Sequence, residues 1–186
     1  VLRGLGSSVG EQSPTLDEQI DRMDNIVQYQ LQRAATAGRS ALAAPVPLQP
    51  TLERLLATLQ KVYRDRGISA QLQLEDGLCF RGDEGDLMEL LGNLLDNAFK
   101  WTASTIRISA RSNANGLTLS VEDDGPGIDT QRAAQVLQRG VRLDEETPGH
   151  GIGLPMVVDI VEAYGGELQI KRSELGGANL VISLPI

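Results

Sequence analysis

Cysteine, histidine and aromatic residues are scarce in this chain of 186 residues. The single cysteine, Cys79, permits no intrachain disulfide framework and gives no sign of an oxidising compartment. Because Cys79 and His150 are the only residues of their kinds, a structural zinc site built from cysteine and histidine is excluded. Aromatic residues make up 3% of the chain, so its core must consist mostly of Leu, Ile, Val and Ala.

Basic residues and long apolar runs are also lacking. The chain has 17 Lys and Arg against 25 Asp and Glu, a net charge of −8, which argues against a non-specific nucleic-acid binder because such proteins present a basic face. The longest apolar stretches are far shorter than a membrane span, and the N-terminus lacks the pattern of a signal peptide. With 41% apolar residues, we expect a soluble, cytosolic chain with one ordinary domain and a modest appendage.

The first 44 residues are expected to form a helical region and a linker. From Pro14 to about Gly38, apolar residues recur every three or four positions, as in the seam of a coiled coil or helix bundle. So narrow a stripe needs a partner helix. Two interpretations remain open: a helical hairpin that is cut short at its start, which we favour, and a helix that folds back on the main domain. Pro45 and Pro47 prevent the helix from continuing, so residues 41–47 are predicted to be a linker.

The remainder of the chain has an α+β pattern. Apolar residues at helical spacing predict three helices, at Leu52–Arg66, Glu84–Trp101 and Pro155–Tyr164. Val62 and Tyr63 are assigned to the inner face of the first helix. Alternating residues predict strands at Ser69–Leu74, Cys79–Arg81, Thr105–Arg111, Leu117–Asp123, Glu167–Lys171 and Ala178–Leu184. A long stretch rich in glycine and polar residues, 124–149, is predicted to contain a short helix near 131–138.

A first polar cluster lies on one face of the predicted helix Glu84–Trp101. Asn93, Asn97 and Lys100 fall within roughly 60° of one another at about 100° per residue, with leucines on the opposite face. Asparagine is a poor helix former, and its carbonyl oxygen can ligate Mg²⁺ without repelling phosphate, while Lys100 can reach a phosphate. A solvated polar face is the competing interpretation, and helix geometry alone does not decide between the two.

Two glycine-rich turns follow along the chain. Asp123 stands where a strand ends, and its carboxylate can accept a hydrogen bond from a purine amino group while the glycines after it admit the ring. A simple tight turn explains the same residues. Alternating glycines at 149–153 run into a helix that begins near Pro155, which predicts an anion cradle of backbone N–H groups. Neither the phosphate loop G-x-x-x-x-G-K-[ST] nor the fingerprint G-x-G-x-x-G fits this turn.

Taken in order, the three clusters resemble the N, G1 and G2 boxes of the ATP-binding domain shared by histidine kinases, gyrase, Hsp90 and MutL. The words LLGNLLDNAFK, which ends at Lys100, and VEDDGPGI, which contains Asp123, resemble those of bacterial sensor histidine kinases, and RGVRLD at 139–144 resembles the PhoQ branch. The resemblance covers residues 45–186. The N-terminal helix is similar to the second helix of the dimerisation and phosphoacceptor hairpin of these kinases.

This resemblance implies a fold and a division into domains. The fold would be an α/β sandwich, with a mixed, mainly antiparallel sheet of about five strands under three helices, preceded by a partial helical hairpin. Residues 1–44 would hold the partial dimerisation region and linker, and residues 45–186 the ATP-binding catalytic domain. Histidine kinases phosphorylate a histidine in the first hairpin helix. Because His150 lies between glycines and lacks that context, the accepting residue is expected upstream of Val1 in a longer protein.

The resemblance also implies roles for individual residues. Asn97 would ligate Mg²⁺, Asn93 would help to order the metal and the γ-phosphate, and Lys100 would contact phosphate. Asp123 would recognise the adenine amino group. Further contacts to the nucleotide are implied for Gly125, Gly127, Arg142, Gly149, His150, Gly151, Gly153 and Leu154. Residues 129–149 would form a lid over the nucleotide. Its docking is left open by departures from the usual Phe, Arg and Gln at Leu137, Thr147 and His150.

The implied function is the ATP-binding and phosphoryl-donor half of a protein-histidine kinase, a transferase of two-component signalling. It would bind Mg·ATP, donate the γ-phosphoryl group to a histidine for transfer to a response regulator, and act in a full-length homodimer as the cytoplasmic domain of an inner-membrane sensor. We expect no nucleic-acid partner and no direct membrane contact. Two alternatives stay open: a gyrase- or Hsp90-like ATPase in which Glu89 or Asn93 orients a water, and a non-catalytic interaction domain.

Overall fold

The computed structural model describes residues 44–114, 116–128 and 153–185. These residues include most of the predicted main domain. The predicted helix at 14–38, the predicted short helix at 131–138 and the expected lid at 129–149 lie outside the described residues.

The described residues form three α-helices and seven strands. The helices are α1 (Leu48–Val62), α2 (Glu84–Trp101) and α3 (Gly153–Ala163). The strands are β1 (Val46–Pro47), β2 (Ser69–Leu74), β3 (Cys79–Phe80), β4 (Thr105–Asn113), β5 (Gly116–Asp123), β6 (Glu167–Arg172) and β7 (Ala178–Leu184). A 3₁₀-helix, Arg64–Arg66, follows α1.

Five strands form one mixed sheet in the order β2-β4-β5-β7-β6. β2 and β4 run parallel, because the chain crosses over through α2 between them, and the other neighbouring pairs are antiparallel. Helices α2 and α3 contact each other and the sheet, and α1 packs on α2. The predicted fold, a mixed and mainly antiparallel sheet of about five strands with three helices, is therefore confirmed.

The hydrophobic core lies where α2 and α3 meet the sheet. Its fully buried side chains include Leu87, Leu91, Leu94, Leu95, Phe99, Ile106, Ile108, Leu180 and Ile182. Side chains alternate along β4, so its isoleucines point into this core and Arg107 faces the other side of the sheet. The core is mostly aliphatic, as the shortage of aromatic residues predicts.

The structure contains a short strand where the sequence predicts a linker. Val46 and Pro47 were assigned to a linker, but they pair with Phe80 and Cys79 as the antiparallel strands β1 and β3. β3 consequently belongs to this two-stranded sheet and not to the main one. The two strands lie more than thirty positions apart in the sequence, so a local pattern could not reveal their pairing.

Helix α1 begins and ends earlier than predicted. It begins at Leu48 instead of Leu52, and it ends at Val62 instead of Arg66. Val62 is 68% exposed, which corrects its assignment to the inner face. It stands about 80° around the helix from Leu52, at the edge of the apolar stripe.

The 3₁₀-helix brings Arg66 to the carboxyl end of α2. The guanidinium group of Arg66 donates to the carbonyl oxygens of Phe99 and Thr102, each at 2.5 Å, and to that of Lys100 at 3.0 Å. The last carbonyl groups of a helix have no partner within the helix, and a cation there also interacts favourably with the helix dipole. Arg66 therefore fixes the end of α2 that carries Lys100.

The start of α2 is fixed by a side chain, and the start of α3 differs from the prediction. Asp83 caps α2, because its carboxylate accepts hydrogen bonds from the N–H groups of Gly85 at 2.8 Å and Asp86 at 3.4 Å. Helix α3 begins at Gly153, two residues before the predicted start at Pro155. None of the helices in this described part of the chain is both long and apolar enough to span a bilayer.

Candidate functional site

Helices α2 and α3 bring together parts of the first and third predicted clusters. The side-chain Nδ2 of Asn93 donates to the carbonyl oxygen of Glu89 at 2.9 Å, which leaves Oδ1 turned toward α3. A Cβ atom added at Gly153 would lie 3.2 Å from this Oδ1, closer than most side-chain contacts. Glycine at 153 therefore allows the first turn of α3 to approach Asn93. Leu154, the next residue, is buried in the core.

Asn97 and Lys100 continue the same face of α2. Both are half-buried, as is Asn93. Within residues 44–114, 116–128 and 153–185, the side chain of Asn97 has no hydrogen-bond partner. The ammonium group of Lys100 lies 2.5 Å from Oδ2 of Asp96, whose Oδ1 accepts a hydrogen bond from the hydroxyl of Tyr63 at 2.9 Å. Lys100, which is predicted to contact a phosphate, is thus paired with the carboxylate of Asp96 in this structure.

Asp123, at the end of β5, is almost fully buried, with 3% of the residue exposed. Its Oδ1 accepts hydrogen bonds from the N–H groups of Gly125 at 2.9 Å and Ala178 at 3.1 Å. Its Oδ2 accepts none from the residues that the structure describes. Burial raises the pKa of Asp123, and the two N–H groups offset this only in part. The site therefore holds a carboxylate with one oxygen committed to the protein and one left over.

Asp124 has a different environment although it is the next residue. Its carboxylate accepts hydrogen bonds from Thr102 and from two N–H groups and a hydroxyl of the turn that follows α2. Burial alone would raise the pKa of Asp124, but the hydrogen bonds from Thr102 and Ser104 outweigh it and hold that pKa well below its usual range. Sequence reasoning gave Asp124 no role. The alternation of strand side chains was the available signal, since it turns neighbouring residues in opposite directions.

Glycines bring three backbone segments close together around Asp123. A Cβ atom at Gly125 would overlap the carbonyl oxygen of Trp101, and Gly127 has φ +79° and packs near Gly177. A Cβ atom at Gly177 would overlap Oδ1 of Asp123 and would lie 2.5 Å from both the carbonyl oxygen of Asp123 and the nitrogen of Gly125. Close packing of the backbone thus explains why glycine occupies positions 125 and 127. That these glycines also make room for a base stays a prediction.

Gly177 is a site residue that the sequence prediction missed. Its N–H group donates to the carbonyl oxygen of Asp123 at 3.1 Å, which joins the start of β7 to the end of β5. The two adjacent glycines, Gly176 and Gly177, are the sequence feature that indicates such a close approach of backbone segments.

Four predicted nucleotide contacts lie outside the described residues. They are Arg142, Gly149, His150 and Gly151. The departures from the family pattern at Leu137 and Thr147 also lie there. The structure therefore brings Asn93 on α2 next to the first turn of α3, and it places the loop that contains Asp123 against Trp101 at the end of α2.

The two adjacent aspartates predict opposite effects of pH on stability. The pKa of Asp124 is lowered in the folded chain, so its contribution is full above about pH 4 and is lost as the pH falls toward the lowered value. The pKa of Asp123 is raised, so its ionised form costs stability at neutral pH, and this cost disappears as the pH falls through the raised value. We expect Asp124→Ala to reduce the free energy of unfolding at neutral pH by about 1–2 kcal/mol.

Urea unfolding from about pH 7 to about pH 3 measures this difference. The free energy of unfolding that Asp124→Ala loses should become smaller as the pH falls. Asp123→Asn, compared with the unsubstituted chain at the same pH, should be more stable at neutral pH than in acid. Asp76→Ala, in the exposed turn after β2, controls for the removal of one acidic charge. If Asp124→Ala lowered the free energy of unfolding by the same amount at every pH, the lowered pKa of Asp124 would be contradicted.

Comparisons with known proteins show which family the chain resembles. The family described as "Histidine kinase-, DNA gyrase B-, and HSP90-like ATPase" matches residues 82–186. The chain is 41% identical over 184 residues to the two-component sensor PhoQ of Pseudomonas aeruginosa and 37% identical over 182 residues to the sensor protein PhoQ of Escherichia coli K12. These alignments cover 96% and 97% of this chain but 41% and 37% of the relatives. The chain thus spans about two-fifths of the length of these relatives.

Solved structures give the same result. The mycobacterial sensor histidine kinase MprB matches with a TM-score of 0.69 and 27% identity, over 77% of this chain and 97% of that one. The ATP binding domain of PrrB from Mycobacterium tuberculosis matches with a TM-score of 0.60 and 25% identity, over 76% and 96%. The resemblance to sensor histidine kinases inferred from the motifs is confirmed. The chain belongs to the family of histidine kinase-, DNA gyrase B- and HSP90-like ATPases.

Proposed function

We propose that this chain binds Mg·ATP and serves as the phosphoryl-donor domain of a two-component sensor histidine kinase. The observation that carries the proposal is the buried carboxylate of Asp123, which has one oxygen held by backbone N–H groups and the other left for a ligand. An adenine presents an amino group that donates to such an oxygen. The match to an ATPase family and the similarity to two-component sensors support this assignment.

The metal would be held by amide oxygens and by the nucleotide. Mg²⁺ prefers oxygen ligands and often keeps few contacts to protein, taking the rest from phosphates and water. The side chain of Asn97 and the Oδ1 atom of Asn93 meet this requirement. No group of three or more His, Cys, Asp or Glu in the described part of the chain is arranged to hold a metal ion, so a site that relies on nucleotide phosphates suits these residues.

The phosphates would lie between α2 and the first turn of α3. Lys100 contacts a phosphate once its ammonium group turns from Asp96 toward the nucleotide. The first turn of α3 lies beside Asn93, and the free N–H groups and dipole at the start of a helix favour an anion there. Contacts from the lid would come from Arg142, Gly149, His150 and Gly151, with Gly153 and Leu154 at the beginning of α3.

The proposed reaction is transfer of the γ-phosphoryl group to a histidine. A nitrogen of the imidazole ring attacks the γ-phosphorus while the bond to the bridging oxygen of the departing ADP breaks. Such transfers depend mainly on alignment and on neutralisation of charge. Bound Mg²⁺ would supply part of that neutralisation. Asp123 and Gly153 position the two ends of the nucleotide, and Asn93 and Lys100 act next to the transferred group.

The wider biological setting extends the same proposal. Residues 1–44 would belong to the dimerisation region and residues 45–186 to the catalytic domain. The histidine would belong to the longer protein, as would dimer formation and transfer of the phosphoryl group to a response regulator. The catalytic domain would act in the cytoplasm, attached to a membrane sensor. The description of one relative as a two-component sensor and of the other as a sensor protein supports this setting.

One observation favours testing a gyrase-like ATPase as a second candidate. Glu89 is half-buried on the same face of α2 as Asn93, and burial together with the nearby Asp86 raises its pKa, which makes its carboxylate a stronger base. Steady ATP hydrolysis that Glu89→Gln removes would favour this candidate. ATP binding without steady hydrolysis would favour the kinase domain.

Calorimetric titration with a non-hydrolysable ATP analogue, with and without Mg²⁺, tests the proposed function. Asp123→Ala should weaken binding roughly 10- to 100-fold, because it removes a charged acceptor from a buried hydrogen bond. Asp76→Ala, at an exposed position in the turn after β2, should bind like the unsubstituted chain. Absence of binding at millimolar nucleotide, or equal affinities of Asp123→Ala and Asp76→Ala, would overturn the proposal.

A further inference from the structure

The carboxylate of Asp124 is fully occupied by the turn that follows α2. Its Oδ1 accepts hydrogen bonds from the hydroxyl of Thr102 at 2.5 Å and from the N–H groups of Ala103 at 2.8 Å and Ser104 at 2.9 Å. Its Oδ2 accepts one from the hydroxyl of Ser104 at 2.7 Å. Both oxygens are therefore used by the protein, so Asp124 is unsuited to bind a ligand directly.

The turn that Asp124 holds is also fixed by a second charged residue, Arg66. Arg66 donates to the carbonyl oxygens of Phe99 and Thr102 at the end of α2. Thr102 is 1% exposed, so this junction is buried. Arg66 precedes residues 82–186, which match the family. The chain thus anchors the turn at 102–104 to a segment that lies before the family match.

The loop at 123–125 lies between this turn and the start of β7. On one side, Gly125 packs so closely on Trp101 that a Cβ atom would overlap its carbonyl oxygen. On the other side, the N–H groups of Gly177 and Ala178 donate to the main chain and the side chain of Asp123. Asp124 supplies the side-chain hydrogen bonds that join the loop to the turn. Without these hydrogen bonds, only the packing of Gly125 on Trp101 would hold the loop against the turn.

We propose that Asp124 is a positioning residue for base recognition. It fixes where Oδ2 of Asp123 stands and so determines the preference of the site for a purine that carries a 6-amino group. This inference rests on the proposed role of Asp123 in binding adenine. A hydrogen bond weakens steeply as its angle bends, so a small shift of the loop removes the preference while leaving contacts to the phosphates in place.

The preference is measured by comparing two nucleotides on the same variants. Calorimetry gives the affinities for ATP and for purine riboside triphosphate, which has no 6-amino group. In the unsubstituted chain we expect ATP to bind on the order of tenfold more tightly. Asp124→Ala should reduce this ratio to about twofold by weakening ATP more than the analogue. Asp124→Asn should restore most of it, because the amide oxygen still accepts hydrogen bonds from the turn and the hydroxyl of Ser104 can accept one from the amide nitrogen.

Further variants keep the test decisive. Thr102→Val removes one of the four hydrogen bonds that the carboxylate of Asp124 accepts, so it should lower the ratio of affinities less than Asp124→Ala does. This milder variant replaces Asp124→Ala in the test if Asp124→Ala fails to fold. Asp76→Ala should leave the ratio unchanged. A purely structural role predicts equal weakening of both nucleotides in Asp124→Ala and Thr102→Val, and that result would overturn the inference. An unsubstituted chain that binds both nucleotides equally would instead overturn the proposed role of Asp123, and this inference with it.

Discussion

Gly177→Ala is expected to remove nucleotide binding and to lower the free energy of unfolding. The added methyl group would overlap Oδ1 of Asp123 and stand 2.5 Å from two backbone atoms, the carbonyl oxygen of Asp123 and the nitrogen of Gly125. Backbone atoms cannot turn aside as the end of a flexible side chain can. Crowding of this kind typically costs about 1–3 kcal/mol, and we expect the upper end of that range. The displaced carboxylate should weaken ATP binding on the order of 100-fold or more.

Urea unfolding and calorimetric titration measure the two effects separately. Gly92→Ala is the matched control, because a Cβ atom at Gly92 would meet nothing within 4 Å. Alanine is the better helix former, so Gly92→Ala should increase the free energy of unfolding by about 0.5–1 kcal/mol and preserve ATP affinity. Equal ATP affinity of Gly177→Ala and the unsubstituted chain would contradict the role in base recognition that we propose for the carboxylate beside Gly177.

Asn97→Ala is expected to abolish the gain in ATP affinity that Mg²⁺ provides. The side chain of Asn97 is half-buried next to Lys100 and finds no hydrogen-bond partner among residues 44–114, 116–128 and 153–185. An amide oxygen in this position is a suitable Mg²⁺ ligand, and second-shell losses at metal sites already cost about 10–100-fold. We therefore expect a loss on the order of 100-fold or more in the presence of Mg²⁺. In EDTA the two chains should bind ATP with similar affinity.

The comparison with and without metal separates ligation from folding. Asn179→Ala is the control, because Asn179 lies on the opposite face of the sheet, where its Oδ1 accepts a hydrogen bond from Ser120 at 2.7 Å. It should keep the full effect of Mg²⁺. An equal loss for Asn97→Ala in Mg²⁺ and in EDTA would show that Asn97 contacts the nucleotide or supports the helix, and would exclude it as the metal ligand.

Elements with a strong local pattern were predicted from the sequence. Helix α2 has the predicted bounds, because Asp83 caps it and its leucines repeat at helical spacing. Strands β2 and β7 also have the predicted bounds, since their alternation is regular. The same local information placed Asn93, Asn97 and Lys100 on one helix face.

Features that depend on distant partners were not predicted. Strand β1 pairs with β3, which lies more than thirty positions later in the chain. The 3₁₀-helix Arg64–Arg66 is likewise held by contacts of Arg66 to residues more than thirty positions later. The role of Gly177 depends on the position of Asp123, fifty-four positions earlier, which a turn pattern does not contain. In each case the local signal was weaker than the tertiary contact that decided the structure.

The sequence by itself determined the family and the order of the three motifs, and it supplied the polar groups that we propose for the site. These follow from residue types at short spacings, which a linear pattern preserves. Only the tertiary structure decided which of two adjacent aspartates has an oxygen left for a ligand. Asp123 and Asp124 have the same chemistry and nearly the same sequence context, but one faces the start of β7 and the other the turn after α2. The physical reason is that burial and hydrogen bonding depend on which distant segments the fold places beside each carboxylate.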